Sequence, residues 1–224
     1  MIAALFVMSV VTWAIFISKW RALRRAQKET RRFLARFASS RSLAECQRMA
    51  FELRHSPLSA LLLAGLDEWE ALKRQTRQNQ SGAEVMQQLI PNITEAMERA
   101  GSREEERLES SLPFLSITTM VAPFLGLLGT VQGVLRTFLA LRGAQLPTLQ
   151  LIAPGISDAL VTTVMGLMVA IPAALFYNYF VGRVRILLSE VDRFASELTG
   201  IFRRETVMLT LNRPADPDRI DSAP

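Results

Sequence analysis

Three long stretches without a charged side chain constrain this chain more than any other feature. They cover residues 1–18, the 26 residues 110–135 and the 24 residues 159–182. A bilayer core of roughly 30 Å needs about 20 helical residues at about 1.5 Å rise each, so each stretch can form one span. The sequence therefore predicts an all-α integral membrane protein with three transmembrane helices and argues against a soluble α/β enzyme.

The positive charge of the chain is concentrated directly behind the first apolar stretch. The formal net charge is +5, and residues 19–36 carry eight Lys or Arg side chains against a single acid, Glu29. Basic flanks stay in the cytoplasm, so the N-terminus is predicted to be periplasmic, and Arg183 and Arg185 behind the third stretch agree. A cleaved signal peptide is the competing interpretation, but its basic residues would precede the apolar core.

The rest of the chain is arranged around the three spans. The polar stretch between the first two spans predicts cytoplasmic helices broken near Ser39-Ser40, Ser56-Pro57 and Ser81-Gly82. Its apolar piece, residues 58–66, is too short to cross and is expected to pack on a neighbouring helix. The predicted division is 1–18 first span, 19–112 cytoplasmic helical domain, 113–141 second span, 142–154 periplasmic loop, 155–182 third span, 183–213 cytoplasmic C-terminal helix and 214–224 disordered tail.

Apolar residues behind the third span recur at alternating spacings of four and three. This short heptad stripe is suited to a partner helix; its members are Val184, Leu188, Val191, Ala195, Leu198 and Phe202. Long cytoplasmic helical extensions are therefore expected both between the first and second spans and behind the third span.

Small residues recur on one face of the second and third spans, where they allow another helix backbone to approach closely. They are Ala122, Gly126, Gly129 and Gly133 in the second span, and Thr162, Gly166, Ala170 and Ala174 in the third. Each span also contains a proline, Pro123 or Pro172, which frees a backbone carbonyl and permits a bend. The string GLLGTVQG lacks the Lys-Ser/Thr of a phosphate loop, so these faces predict helix packing.

Asp158 is the principal candidate for function, since an ionisable residue inside a span costs about 2.5–3.5 kcal/mol and normally faces a partner or a wet cavity. The alternative is a cap, because a third helix that starts after Pro154-Gly155 would place this acid at its N-terminus. Arg136 in the second span can either pair with Asp158 or extend its side chain to the outer interface.

Three threonines lie near mid-membrane by the helical rise, namely Thr130, Thr162 and Thr163. Their hydroxyls can relay protons, or they can bond carbonyls of their own helix. Asp158 shares a helical face with Thr162, four residues on, whereas Thr163 points aside. Spacing alone does not choose between these two threonines.

Two motifs in the second and third spans resemble the TolQ/ExbB/MotA family. They are APFLGLLGTVQG at 122–133 and APGISDAL at 153–160, followed by AIPA at 170–173. The resemblance covers both spans nearly continuously, extends weakly over the first span and is faint through the cytoplasmic region. Residues 148–155 and 194–204 look more like TolQ than ExbB.

This resemblance implies a homo-oligomeric, pentameric ring in the inner membrane of a Gram-negative bacterium. The ring would surround single-span TolR- or ExbD-like partners that carry an intramembrane Asp, and it would act on TolA- or TonB-like proteins. By motif position, Thr130 and Thr163 match the family's pore threonines, and Asp158 stands where the family usually has Glu. Two further departures are Gln132 for a frequent Trp and Arg136 for His or Asn.

We therefore expect a proton-channel or stator subunit that uses the proton motive force to energise the Tol-Pal system. An ExbB-type subunit for TonB-dependent uptake is the nearest alternative, and a passive membrane scaffold is an alternative of another class. His55 and Cys46 lack neighbours at metal or triad spacing, so we expect no enzyme, metal or cofactor. Lipid contact is expected, and nucleic-acid binding is not.

Overall fold

The computed structural model describes residues 1–40, 43–78, 82–141 and 149–211, and every regular element in these ranges is a helix. The six helices are α1 (Ile2–Phe37), α2 (Leu43–Glu52), α3 (Pro57–Gln78), α4 (Gly82–Glu109), α5 (Leu112–Leu141) and α6 (Leu149–Leu211). The ends of α1, α2 and α3 fall at the three serine-containing breaks expected from the sequence.

In the part of the chain that the structure describes, three helical stretches are long and apolar enough to cross a membrane. They are Ile2–Phe37, Leu89–Leu141 and Ile152–Val207, and each contains one of the charge-free stretches. The expectation of three apolar helices in an all-α chain is confirmed at this level.

The third apolar helix differs from its predicted limits at both ends. α6 begins at Leu149 and continues without a break to Leu211. Pro154 is tolerated because it is only the sixth residue, so it removes a single hydrogen bond close to the helix end. The span and the C-terminal helix are thus one element. Residues 142–148 and the predicted tail 214–224 lie outside the described residues.

The described chain divides into two compact units. The first unit contains residues 1–25 and 106–186, and the second contains residues 26–105 and the chain from Leu187 onward. The first unit therefore holds all three charge-free stretches, and the second holds the polar helices.

Large side chains fill the core of the second unit. Phe33 of α1 packs edge to face on Phe194 of α6 with ring centroids 5.3 Å apart, and Trp69 of α3 lies 5.5 Å from Phe202. The apolar piece of α3 is buried in this core, as are the stripe residues Val191, Leu198 and Phe202. The partner helices of that part of the stripe therefore belong to the same chain.

The only cysteine and the only histidine also lie in the second unit. Cys46 is buried in the core, with its Sγ 3.0 Å from the Ser40 hydroxyl, whereas His55 is exposed and its backbone N–H donates to Glu29. Cys46 is therefore a packed side chain and His55 a surface one.

The core of the first unit combines small and large residues. Leu5 of α1 packs with Ala122 of α5 and with Val169 and Ala170 of α6. Nearer the other end of α1, the ring of Phe16 stacks on Phe176 with centroids 4.1 Å apart. Many bulky side chains of α5 and of the first half of α6 point outward, and Phe124 is 67% exposed, whereas Leu115 and Phe180 are fully buried.

Candidate functional site

The site is built on the close approach of α5 and α6 within the first unit. A methyl group built on Gly126 would lie 3.0 Å from the Thr162 carbonyl oxygen and 3.1 Å from Thr163 Cα. A methyl group on Gly166 would lie 2.7 Å from the Ala122 carbonyl oxygen. Because these neighbours are backbone atoms, larger residues would force the helices apart.

The two helices run antiparallel along this contact. Gly126 faces Thr163 and Gly166, Gly133 faces Ala159, and Thr137 faces Gly155, so the residue numbers rise on α5 while they fall on α6. The small residues singled out on α5 thus meet those on α6. Glycine at this face removes the Cβ atoms that would otherwise keep the two backbones apart.

Ala174, the last small residue predicted for the contact face of α6, lies beside that face and not on it. Ala173 is fully buried, whereas Ala174 is only half-buried. Each step of four residues turns the helix by about 40° more than a full revolution, so an unbroken series of four-residue steps leaves the contact line. A step of three from Ala170 to Ala173 restores it.

The three threonines use their hydroxyls differently. Thr163 Oγ1 donates across the interface to the Gly126 carbonyl at 3.2 Å. Thr162 Oγ1 donates to Ala159 of its own helix at 2.7 Å and lies 3.4 Å from the same Gly126 carbonyl. Thr130 Oγ1 donates to Leu127 of its own helix at 2.7 Å. Only Thr163 therefore joins the two helices without also bonding its own.

The register places these hydroxyls at one level of the helix pair. Thr130 follows Gly129, and a side chain at Gly129 would collide with the Thr162 hydroxyl. Thr162 and Thr163 in turn lie opposite Gly126, one turn of α5 away. The chain therefore places three hydroxyl groups within about one helical turn along the pair.

A pocket of about 500 Å³ opens on the same helix pair toward the start of α6. Its polar lining comes from Gln132 and Arg136 of α5 and from Asp158 and Thr162 of α6, and the first three residues of the chain line it as well. The four polar residues converge because each helix presents its two members four residues apart, on one face. Thr130 and Thr163 are not among the lining residues.

The structure shows neither of two arrangements that the sequence leaves open, namely Asp158 as a helix cap and an ion pair between Arg136 and Asp158. Asp158 is the tenth residue of α6 and lies beyond its first turn, so it does not cap the helix. Arg136 and Asp158 share the pocket, but among the residues that the structure describes no ion pair joins them. Both side chains are exposed in the single chain.

Sequence reasoning treated Gln132 only as a departure from the family pattern and did not single out Thr137, Gly155 or Ala159. Gln132 lies four residues before Arg136, and this spacing was a sufficient signal for a shared face. Thr137, four residues beyond Gly133, extends the small-residue face and packs on Gly155. Its hydroxyl donates to the Gly133 carbonyl at 3.0 Å.

Comparison with known proteins gives consistent matches to one family. Residues 54–193 match the model of the MotA/TolQ/ExbB proton channel family. The chain is 36% identical over 206 residues to the Tol-Pal system protein TolQ of Haemophilus influenzae, covering 91% of this chain and 88% of that protein. It is 35% identical to TolQ of Pseudomonas aeruginosa, covering 88% and 84%.

A biopolymer transport protein, ExbB of Salmonella typhimurium, is 28% identical over 226 residues, covering 98% of this chain and 86% of that protein. The two TolQ proteins are thus more similar to this chain than that ExbB is, which confirms the resemblance to TolQ. The family match covers all of α5 and α6 as far as residue 193, and so includes the four polar residues of the pocket. The chain belongs to the MotA/TolQ/ExbB proton channel family.

Proposed function

We propose that this chain is an inner-membrane subunit that conducts protons and uses the proton motive force to energise a Tol-Pal complex. The observation that carries the proposal is the placement of Asp158. Its carboxylate opens into a polar pocket between the apolar stretches of α5 and α6, and no ion pair neutralises it among the described residues. An intramembrane acid in such a place is expected to bind and release protons.

In this mechanism a proton enters at Asp158 and passes the level of the three threonines. Each threonine hydroxyl donates one hydrogen bond to a carbonyl and keeps lone pairs that can accept another. Water or the partner's acid would complete the path between Asp158 and the opposite side. Protonation of the partner's Asp removes its charge and allows its helix to change position.

The energy available per proton is sufficient to drive such a change. One elementary charge yields about 2.3 kcal/mol per 100 mV, so a proton motive force of about 150–200 mV supplies about 3.5–4.5 kcal/mol. A bias of this size shifts a two-state equilibrium by a factor on the order of 10³.

The proposed assembly is a homo-oligomeric, pentameric ring around TolR-like helices, which acts on a TolA-like protein. The outward-facing bulky residues of α5 and α6 supply apolar surface for neighbouring copies and for lipid. Cell-envelope integrity and cell division are the processes that such a complex would serve.

The proposed orientation puts the N-terminus in the periplasm and the C-terminus in the cytoplasm. Within the first unit, Arg24 stacks over Trp20 at 3.9 Å and Arg183 over Tyr179 at 5.3 Å. Aromatic rings with basic partners are typical of the membrane interface, and the basic excess marks this end as cytoplasmic. Residues 19–112 and the chain beyond 182 would then lie in the cytoplasm.

Replacement of Asp158 tests the proposal in cells. Asp158→Asn is expected to assemble normally but to fail to restore envelope integrity in a strain that lacks this gene. Asp158→Glu should retain function because it keeps the titratable group that the family usually has. Ser157→Ala, a change at the neighbouring exposed residue, is the matched control. Full function of Asp158→Asn would favour the passive scaffold and overturn the proposal.

An ExbB-type role in TonB-dependent uptake is the alternative that shares this mechanism. Affinity purification of the native complex separates the two. Recovery of TolR-like and TolA-like proteins supports the Tol-Pal assignment, whereas recovery of ExbD-like and TonB-like proteins would replace it.

A further inference from the structure

Lys19 is a buried lysine at the point where α1 leaves its apolar stretch. Only 7% of the residue is exposed, although the neighbouring basic residues Arg21, Arg24 and Arg25 are exposed. The side chain of Lys19 is directed into the first unit. The exposed basic residues of this flank explain the predicted orientation in the membrane, whereas Lys19 makes contacts inside the first unit.

The ammonium group of Lys19 uses three acceptors at one turn of the chain. Its Nζ donates to the Leu108 carbonyl at 2.8 Å, to the Arg107 carbonyl at 3.2 Å and to the Ser110 hydroxyl at 3.1 Å. An ammonium has three N–H donors, and all three have partners here. Ser110 Oγ itself donates to the Arg107 carbonyl at 2.8 Å, which closes a small network.

This network lies at the junction between α4 and α5. Arg107 and Leu108 belong to the last turn of α4, where the carbonyls point out of the helix end, and a cation there is favoured by the helix dipole. Ser111 follows with a φ of 73°, a left-handed conformation that interrupts the helix before α5 begins at Leu112. The junction is therefore a fixed turn that α1 holds from the side.

The electrostatic surroundings of Lys19 agree with a buried ammonium group whose donors are all used. Burial lowers the pKa of Lys19 below its ordinary value of 10.5, the charge of Arg107 lowers it further, and Glu109 acts in the opposite direction. Burial of the charged lysine costs free energy of desolvation that an exposed position would avoid. The hydrogen bonds to α4 explain its burial.

We infer that Lys19 is a positioning residue that fastens α1 to the turn between α4 and α5 and so fixes the direction in which α5 enters the membrane. α5 carries Thr130 and Arg136, so a change in its direction would displace them relative to α6. The inference about direction stands on the geometry alone, while its effect on proton flow rests on the proposed function.

Distance measurements between two spin labels test the inference. Labels are attached at Ala22→Cys, three residues beyond Lys19 in α1, and at Ala140→Cys, near the end of α5, two exposed alanines of the first unit, in a Cys46→Ala background. Labelled copies are diluted with unlabelled chain in the full complex in lipid nanodiscs. The parent is expected to give one narrow distance peak, and Lys19→Met should lose that narrow peak. Lys19→Arg should keep it, because it retains the charge and several donors.

Matched variants separate positioning from general damage. Arg21→Met removes an exposed basic residue from the same flank and should leave the peak unchanged. Proton flux per assembled complex should fall on the order of 10- to 100-fold in Lys19→Met, because small displacements have large kinetic effects. A merely structural role would instead reduce the number of complexes and leave both the distance peak and the flux of each complex unchanged, and that result would overturn the inference.

The outcomes also distinguish this inference from the proposed function. Asp158→Asn should lose flux while it keeps the narrow peak. An unchanged peak in Lys19→Met would contradict the inference and leave the role of Asp158 untouched. If Lys19→Met does not accumulate, Ser110→Ala removes one acceptor and should broaden the peak to an intermediate extent. An unchanged peak in that variant would contradict the inference equally.

Discussion

The two units of this chain differ in which residues lie where their helices approach most closely. In the second unit Phe202 is fully buried and packs on Trp69, whereas in the first unit Phe124 is 67% exposed and glycines lie at the helix contacts. Water drives bulky apolar groups inward, but lipid is as apolar as a leucine side chain and provides no such force. The closest approach of α5 and α6 in the first unit is therefore made through small residues, and exposed large residues such as Phe124 remain available to lipid or to other copies, although Phe180 and Leu115 are buried.

The largest expected effect comes from the core of the second unit. Phe202→Ala should destabilise that unit by about 3–5 kcal/mol, because it removes a buried ring and leaves a cavity. Phe51→Ala is the control, since Phe51 is 62% exposed. Hydrogen exchange of the amides of α3 and α4 in the full chain measures the loss. Similar exchange rates in the two variants would show that the core is not organised as described.

An intermediate effect is expected at the glycine contacts of the first unit, where adding atoms rather than removing them does the damage. Gly166→Ala should cost about 1–3 kcal/mol, because the new methyl group meets the Ala122 carbonyl and Gly126 Cα, which are backbone atoms. Gly182→Ala has no neighbour within 4 Å and should be neutral or stabilising by up to about 1 kcal/mol. Thermal unfolding in detergent compares the two, and equal melting temperatures would refute the close approach.

The smallest effect on stability is expected at the threonines. Thr163→Val removes a hydrogen bond between helices and should cost about 0.6 kcal/mol. Thr130→Val removes only a bond within α5 and should leave the melting temperature nearly unchanged. Envelope function should nevertheless be lost in Thr130→Val. A large stability loss in that variant would mean that its hydroxyl has a structural partner instead.

Much of the fold could be predicted from the sequence because the decisive signals are local. The absence of charge over residues 110–135 predicts a span whatever the neighbours are, and the glycine spacing on α5 predicts a contact face. The core position of Phe202 follows from the heptad stripe for the same reason.

The features that could not be predicted depend on tertiary neighbours. The proline at 154 signals a helix end, but its position near the start of α6 makes it tolerable. Lys19 counts as one more basic residue in a cytoplasmic flank until the turn at Ser110 is placed beside it. The separation of Arg136 from Asp158 likewise depends on side-chain directions that spacing along two helices does not give.

Proton flux through the complete complex in sealed vesicles, followed with a pH-sensitive dye trapped inside, tests the role of Asp158 most directly. With an imposed potential, the parent complex and its Ser157→Ala control should acidify the lumen, and Asp158→Asn should reduce the rate on the order of 10- to 100-fold per complex. Equal rates in Asp158→Asn and the parent would contradict the account.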